Sequence, residues 1–235
     1  MYRKYVAEAI GTFALCFVGI LAISGAALGG APAGVANLAS IGLAHGLTIA
    51  VMVAALGAVS GAHFNPAVTF GFVVSGKLPV AEGLRYWASQ LAGATAAGGL
   101  LAALFNTGAV AAATPTLSPK VGLGAGVVIE AIATFFLVLV VFGTAVDHRA
   151  PKSVFPLAIG LTVALDIMAA GPLTGAAMNP ARVFGPGLAS GHWVDHWVYW
   201  VGPLAGGALA ALLHKFVLAE PVVEAEPVAE LRRAA

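Results

Sequence analysis

Residues Gly61–Phe70 read GAHFNPAVTF, and Gly175–Phe184 read GAAMNPARVF. In each, an asparagine and a helix-breaking proline interrupt an otherwise apolar chain, and a glycine stands four residues earlier. The apolar stretches that follow, roughly 65–75 and 179–189, would make helices about 16 Å long, half of a hydrocarbon core about 30 Å thick. Proline at the first helical position costs no intrahelical bond, because that N–H has no partner anyway. The two stretches are therefore read as half-helices that enter a membrane without crossing it.

The rest of the chain agrees. Of its 235 residues 60% are hydrophobic and 9% charged, where soluble chains carry about 25% charge. A net charge of +1 leaves no basic face for a nucleic-acid partner. The single cysteine, Cys16, rules out a disulfide framework. Six segments reach the roughly 20 residues a spanning helix needs: 5–28, 39–59, 85–105, 122–144, 154–171 and 196–218. The first is longer than the apolar core of a cleaved signal, about 7–15 residues, and is read as a retained span.

The chain also echoes itself. AEAIGTF at Ala7–Phe13 returns as IEAIATF at Ile129–Phe135, and Asn65-Pro66-Ala67 returns as Asn179-Pro180-Ala181. Each copy holds three spans and one half-helix. Three is odd, so the second copy lies inverted relative to the first. The organisation predicted is a first repeat over 1–118, a second over 119–218 and a solvated tail over 219–235. With the N-terminus cytoplasmic, Arg3, Lys4, Lys77, Arg85, Arg149, Lys152, Lys215, Arg232 and Arg233 all fall inside and only Lys120 outside, which places both termini in the cytoplasm. Gly42 with Gly46, Gly202 with Gly206, and Gly93 with Ala97 are spaced for close helix contact in lipid.

Two half-helices entering from opposite faces meet N-terminus to N-terminus, each end carrying roughly half a positive charge. A passage between them repels cations, and Asn65 and Asn179 offer amide donors to the oxygen of a neutral molecule. Paired Asn-Pro-Ala motifs in an inverted six-span repeat resemble the aquaporin, or major intrinsic protein, family over about residues 5–218. The resemblance implies an all-α integral membrane channel of six transmembrane helices and two re-entrant half-helices, assembled as a homotetramer in the lipid bilayer. It implies a selectivity filter of His45, Ile167, Ala176 and Arg182, and places Glu8 and Glu130 as acceptors for the re-entrant loops. A proton relay is the competing role for those two carboxylates.

The His/Ile/Ala/Arg set looks like that of plant tonoplast intrinsic proteins, which implies passage of water together with ammonia, urea, glycerol or hydrogen peroxide, and exclusion of protons and ions. Val183, Gly187, the Tyr199-Trp200 pair and the short loops speak against glycerol as the principal substrate. Asp166, next to Ile167, could bond the loop behind the filter, face a neighbouring subunit or perturb His45. His63 is placed near the pore, and His192 and His196 at an outer interface with Trp193 and Trp197. Cys16 is expected to lie away from the filter, and with Ala176 where relatives often carry cysteine, low mercury sensitivity follows. No cofactor, metal or enzymatic activity is expected, since no nucleophile–base pair or phosphate loop occurs. The rival from another class is a coupled secondary transporter, with Glu8, Glu130 and Asp166 as its only candidate coupling groups; a third reading is a non-conducting junction protein. Short loops and an alanine-rich chain point to a bacterial plasma membrane.

Overall fold

The computed structural model describes residues 2–29 and 37–220, with the side chains of 26 and 27 left out. Nine α-helices lie among the described residues: α1 (Arg3–Leu28), α2 (Leu38–Ser60), α3 (Pro66–Val74), α4 (Val80–Leu104), α5 (Thr107–Ala113), α6 (Leu123–Val140), α7 (Phe155–Thr174), α8 (Pro180–Ser190) and α9 (Val198–Leu213). Helices α6 and α9 run on as wider π turns, Val141–Val146 and His214–Leu218. Five helices (α1, α2, α6, α7 and α9) are long and apolar enough to cross a bilayer. Helix α4 is the sixth spanning helix, 25 residues long but diluted by Glu82, Arg85, Ser89 and Gln90. Short α3 and α8, nine and eleven residues, are the half-helices.

Polarity is inverted relative to a soluble protein. Large apolar side chains such as Ile10, Leu47, Val51, Leu165 and Leu209 are exposed, while Glu8, Gln90, Glu130, Thr69 and Thr134 are fully buried. Such a surface is stable only against lipid, and such an interior only when its polar groups are paired.

Glycine sets the helix seams. A side chain on Gly160 of α7 would come 2.7 Å from the Ala50 Cβ of α2, and one on Gly46 would come 2.8 Å from the Ala164 Cβ. On α9, one on Gly202 would come 2.8 Å from the Glu130 Cβ of α6. Close backbone approach of this kind supplies dispersion contact where lipid supplies no hydrophobic drive.

Helices α4 and α5 depart most from the sequence expectation. Helix α4 begins at Val80, not near 85, because Pro79 opens it and Glu82 in its first turn is held by Lys4, by the Tyr5 hydroxyl at 2.9 Å and by Arg85 at 3.2 Å. Helix α5 was not anticipated. Asn106 caps it by accepting from the Ala109 N–H at 2.8 Å, and Ser24 of α1 donates to the Ala109 carbonyl at 2.8 Å. The proposed tail lies, beyond residue 220, outside the described residues.

Candidate functional site

Each asparagine of the two motifs caps its own half-helix and reaches across to the other loop. Asn65 Oδ1 accepts from the Ala67 N–H at 2.8 Å, and Asn179 Oδ1 from the Ala181 N–H at 3.0 Å. Asn65 Nδ2 donates to the Met178 carbonyl at 2.8 Å and Asn179 Nδ2 to the Phe64 carbonyl at 2.9 Å. An amide carries two N–H groups, so one on each asparagine is left for the cavity that both line.

The loops before the caps are strained in the same way. Gly61, Ala62 and Phe64 have φ of 85°, 53° and 50°, and Gly175, Ala176 and Met178 have 81°, 43° and 52°. Left-handed backbone at a residue with a Cβ costs on the order of 1–3 kcal/mol and persists only where its surroundings impose it. Here a buried carboxylate does so in each repeat. Glu8 accepts from Ser60 Oγ (2.7 Å), the His63 N–H (2.9 Å), the Phe64 N–H (2.7 Å) and Gln90 Nε2 (2.8 Å). Glu130 accepts from Thr174 Oγ1 (2.6 Å), the Ala177 N–H (2.9 Å) and the Met178 N–H (2.7 Å). Tyr86 and Tyr199 complete the symmetry, their hydroxyls donating to the carbonyls of Ser60 and Thr174 at 2.7 and 2.8 Å. The sequence reading named Tyr199 only as part of an aromatic pair and passed over Tyr86, although the echo of Tyr86-Trp87 in Tyr199-Trp200 was available to show that the two share a role.

A narrow cavity passes between the half-helix ends. On one side its wall is apolar, with Leu15, Val53, Val68, Phe72, Leu137 and Phe155, and it runs past His63 and the two asparagines to His45, Ile167 and Arg182. A second cavity adjoins the first: Ile167 and Arg182 line both, and Thr114, Pro115 and Thr116 complete part of its wall. Ile167 and Arg182 thus stand at the junction of the two cavities, with His45 in the wall of the first. Arg182 Nη1 donates to the carbonyls of Gly175 (3.1 Å) and Ala176 (2.9 Å), so Ala176 enters this arrangement through its backbone. His45 Nδ1 is bonded to the Ile41 carbonyl at 2.8 Å, and the ring packs where a side chain on Gly19 would otherwise lie.

Other candidates fall as follows. Cys16 is not remote: it lines a small cavity together with Gly19, His45 and Arg182, because α1 turns its Cys16–Gly19 face toward those two side chains. Asp166 keeps a buried Oδ2 without a partner among the described residues. His196 Nε2 accepts from Trp200 Nε1 at 3.1 Å, and its ring stands edge-on to Trp193 at 4.6 Å. His192 Nε2 lies 2.9 Å from Thr116 Oγ1, tying the segment after α8 to the wall of the second cavity.

The described arrangement has counterparts among known proteins. Residues 1–214 match the profile of the family described as Major intrinsic protein. Aquaporin TIP2-1 of Arabidopsis thaliana is 47% identical over 218 residues, covering 90% of this chain and 86% of that protein. Aquaporin TIP4-4 of Zea mays is 46% identical over 218 residues, covering 90% and 85%. An X-ray structure of the aquaglyceroporin from Plasmodium falciparum superposes with a TM-score of 0.77 at 24% identity, covering 97% of this chain and 98% of that one; at that identity the likeness speaks for the fold. The chain belongs to the major intrinsic proteins, a family of passive membrane channels and not of enzymes.

Proposed function

We propose that the chain conducts water and small neutral solutes, among them ammonia, urea, glycerol and hydrogen peroxide, down their gradients and excludes ions and protons. The observation that carries this is the cavity lined by two capped helix N-termini, with Ile167 and Arg182 at its junction with a second cavity. Each helix end contributes roughly half a positive charge and the guanidinium a whole one, so a cation meets repulsion at two successive depths. His45, Ile167, Ala176 and Arg182 form the filter in this reading. Asn65, Pro66, Ala67 and Asn179, Pro180, Ala181 form the waist.

The rival coupled transporter needs a carboxyl on the passage that is free to bind an ion. Glu8 and Glu130 have their oxygens occupied by four and three donors, which argues for scaffold roles, and Asp166, which keeps an unpartnered oxygen among the described residues, is not among the residues lining either cavity. We further read residues 1–118 and 119–218 as the two inverted repeats and the assembly as a homotetramer. The distribution of lysine and arginine supports termini on the cytoplasmic face. Short loops and composition support a bacterial plasma membrane, whereas the relatives named above come from plants.

The test is stopped-flow light scattering of proteoliposomes under an inward glycerol gradient, beside protein-free vesicles. Fast shrinkage with slow re-swelling identifies a water channel that retards glycerol. Fast re-swelling identifies a broad neutral-solute pore. Shrinkage no faster than in protein-free vesicles overturns the channel reading.

A further inference from the structure

The passive-channel reading leaves three polar residues of the first repeat without a task. His63 stands two residues before Asn65, and Thr69 four after it; Gln90 stands four after Tyr86. At the matching places of the second repeat are Ala177, Val183 and Pro203. All three polar groups are present together on one side and absent together on the other, so they act as a unit.

The hydrogen bonds define that unit and fix its direction. Glu8 already accepts from Ser60 Oγ and from the His63 and Phe64 N–H groups, and as a carboxylate it can only accept. Gln90 must therefore turn Nε2 toward it, and the second hydrogen of that nitrogen goes to Thr69 Oγ1 at 2.9 Å. The Gln90 Oε1 is left buried without a partner among the described residues, the cost of holding this amide orientation. Thr69 Oγ1, accepting from Gln90, has its own hydrogen to give, and His63 Nδ1 lies 3.0 Å away. Thr12, Thr48, Thr134 and Thr162 instead return their hydroxyls to the carbonyl four residues back. Thr69 makes no such bond among the described residues. The ring is further pinned by Phe72 at 4.3 Å and Tyr86 at 5.1 Å.

We propose that the chain Glu8–Gln90–Thr69 fixes His63 as the tautomer with its proton on Nε2, and that this N–H is a donor station on the pore wall just before Asn65. His63 lines the cavity, and its Nε2 lies 3.5 Å from where a side chain on Gly61 would begin, a place left open by the glycine. A neutral molecule on this path then meets donors in succession from His63, the asparagines and Arg182, and must present an acceptor to each. Thr69 and Gln90 are positioning residues that set the sense of the first station. This inference rests on the channel reading above.

Its test pairs Thr69→Val, which keeps the shape and removes the hydroxyl, with Thr69→Ser, which keeps the hydroxyl and removes the methyl. Histidine labelled with ¹⁵N reports the tautomer by solid-state NMR in proteoliposomes, His63→Gln identifies the signal, and stopped-flow shrinkage reports water flow. The wild type and Thr69→Ser should show protonated Nε2 and unprotonated Nδ1. Thr69→Val should gain a population protonated at Nδ1 and lose water flow about threefold, the scale of one ordinary hydrogen bond. Protonated Nδ1 in the wild type overturns the inference. So does Thr69→Val with an unchanged spectrum and flow, or impairment of Thr69→Ser alone, which would mark a packing role. Wild-type shrinkage at the protein-free rate would fail the channel reading separately, and the spectrum would still decide the tautomer.

Discussion

Replacing Glu130 probes how the strained loop before α8 is held. In Glu130→Gln the single remaining oxygen is best kept where Thr174 Oγ1 and the Ala177 N–H converge, which leaves the new NH₂ facing the Met178 N–H. One backbone donor is orphaned at a fully buried site, costing about 1–3 kcal/mol. Glu130→Leu orphans both backbone donors and should cost about twice as much. For a chain of this size each kcal/mol moves the melting midpoint by about 2–4 °C, so Glu130→Gln should melt about 2–12 °C lower and Glu130→Leu lower again. Tryptophan fluorescence in a fixed detergent gives the midpoints, and water flow should fall in the same order because Ala177 and Met178 line the passage. Unchanged midpoints, with flow that becomes insensitive to pH only in the variants, would refute the scaffold argument and favour a proton relay.

Four further outcomes follow from the described geometry. Arg182→Val removes the cation and frees the carbonyls of Gly175 and Ala176; glycerol re-swelling should speed up, and vesicles under a pH gradient should begin to leak protons. The pair His45→Phe, Ile167→His should keep water flow and lose urea and glycerol; equal solute flow would mean that these residues do not set the width. Gly160→Val would drive a side chain into Ala50, and overpacking of this kind costs about 1–3 kcal/mol, so a lower melting midpoint and slower water flow are expected together. Asp147, outside the spans, has its carboxyl held well below the usual carboxylate range by the Arg149 guanidinium. A depressed value in the folded state means its contribution is complete above the unfolded value, about pH 4, and lost as pH falls through the folded one. Protection of residues 147–152 from hydrogen exchange should therefore exceed that of Asp147→Asn by a constant factor above about pH 5 and converge with it only in stronger acid.

The spans and half-helices were legible because they are written in two strong local signals, apolar run length and Asn-Pro at a helix start. Helix α5 was not, since Thr107–Ala113 reads TGAVAAA, too short and uniformly small to show a period. The carboxylate–loop bonds join residues 47 to 56 positions apart, and Gln90 meets Glu8 across 82. No window of sequence spans such distances; only the echo between repeats hints at them. Cys16 was misplaced for a related reason. A span's apolar pattern does not say which face turns inward, and here Gly19, by making room for the His45 ring, decides it.

The crossed asparagine bonds have a consequence for biosynthesis. Asn65 and the Met178 carbonyl it serves are 113 residues apart. At about 5–20 residues per second, the ribosome reaches Met178 roughly 6–23 s after Asn65. Throughout that interval the first half-helix has its cap but not its crossing bond, and Phe64 still awaits the amide of Asn179. The centre of the molecule is thus completed only after most of the chain has been made. A nascent chain stopped before α8 should remain open to proteases and membrane quality control, however well its early spans have inserted.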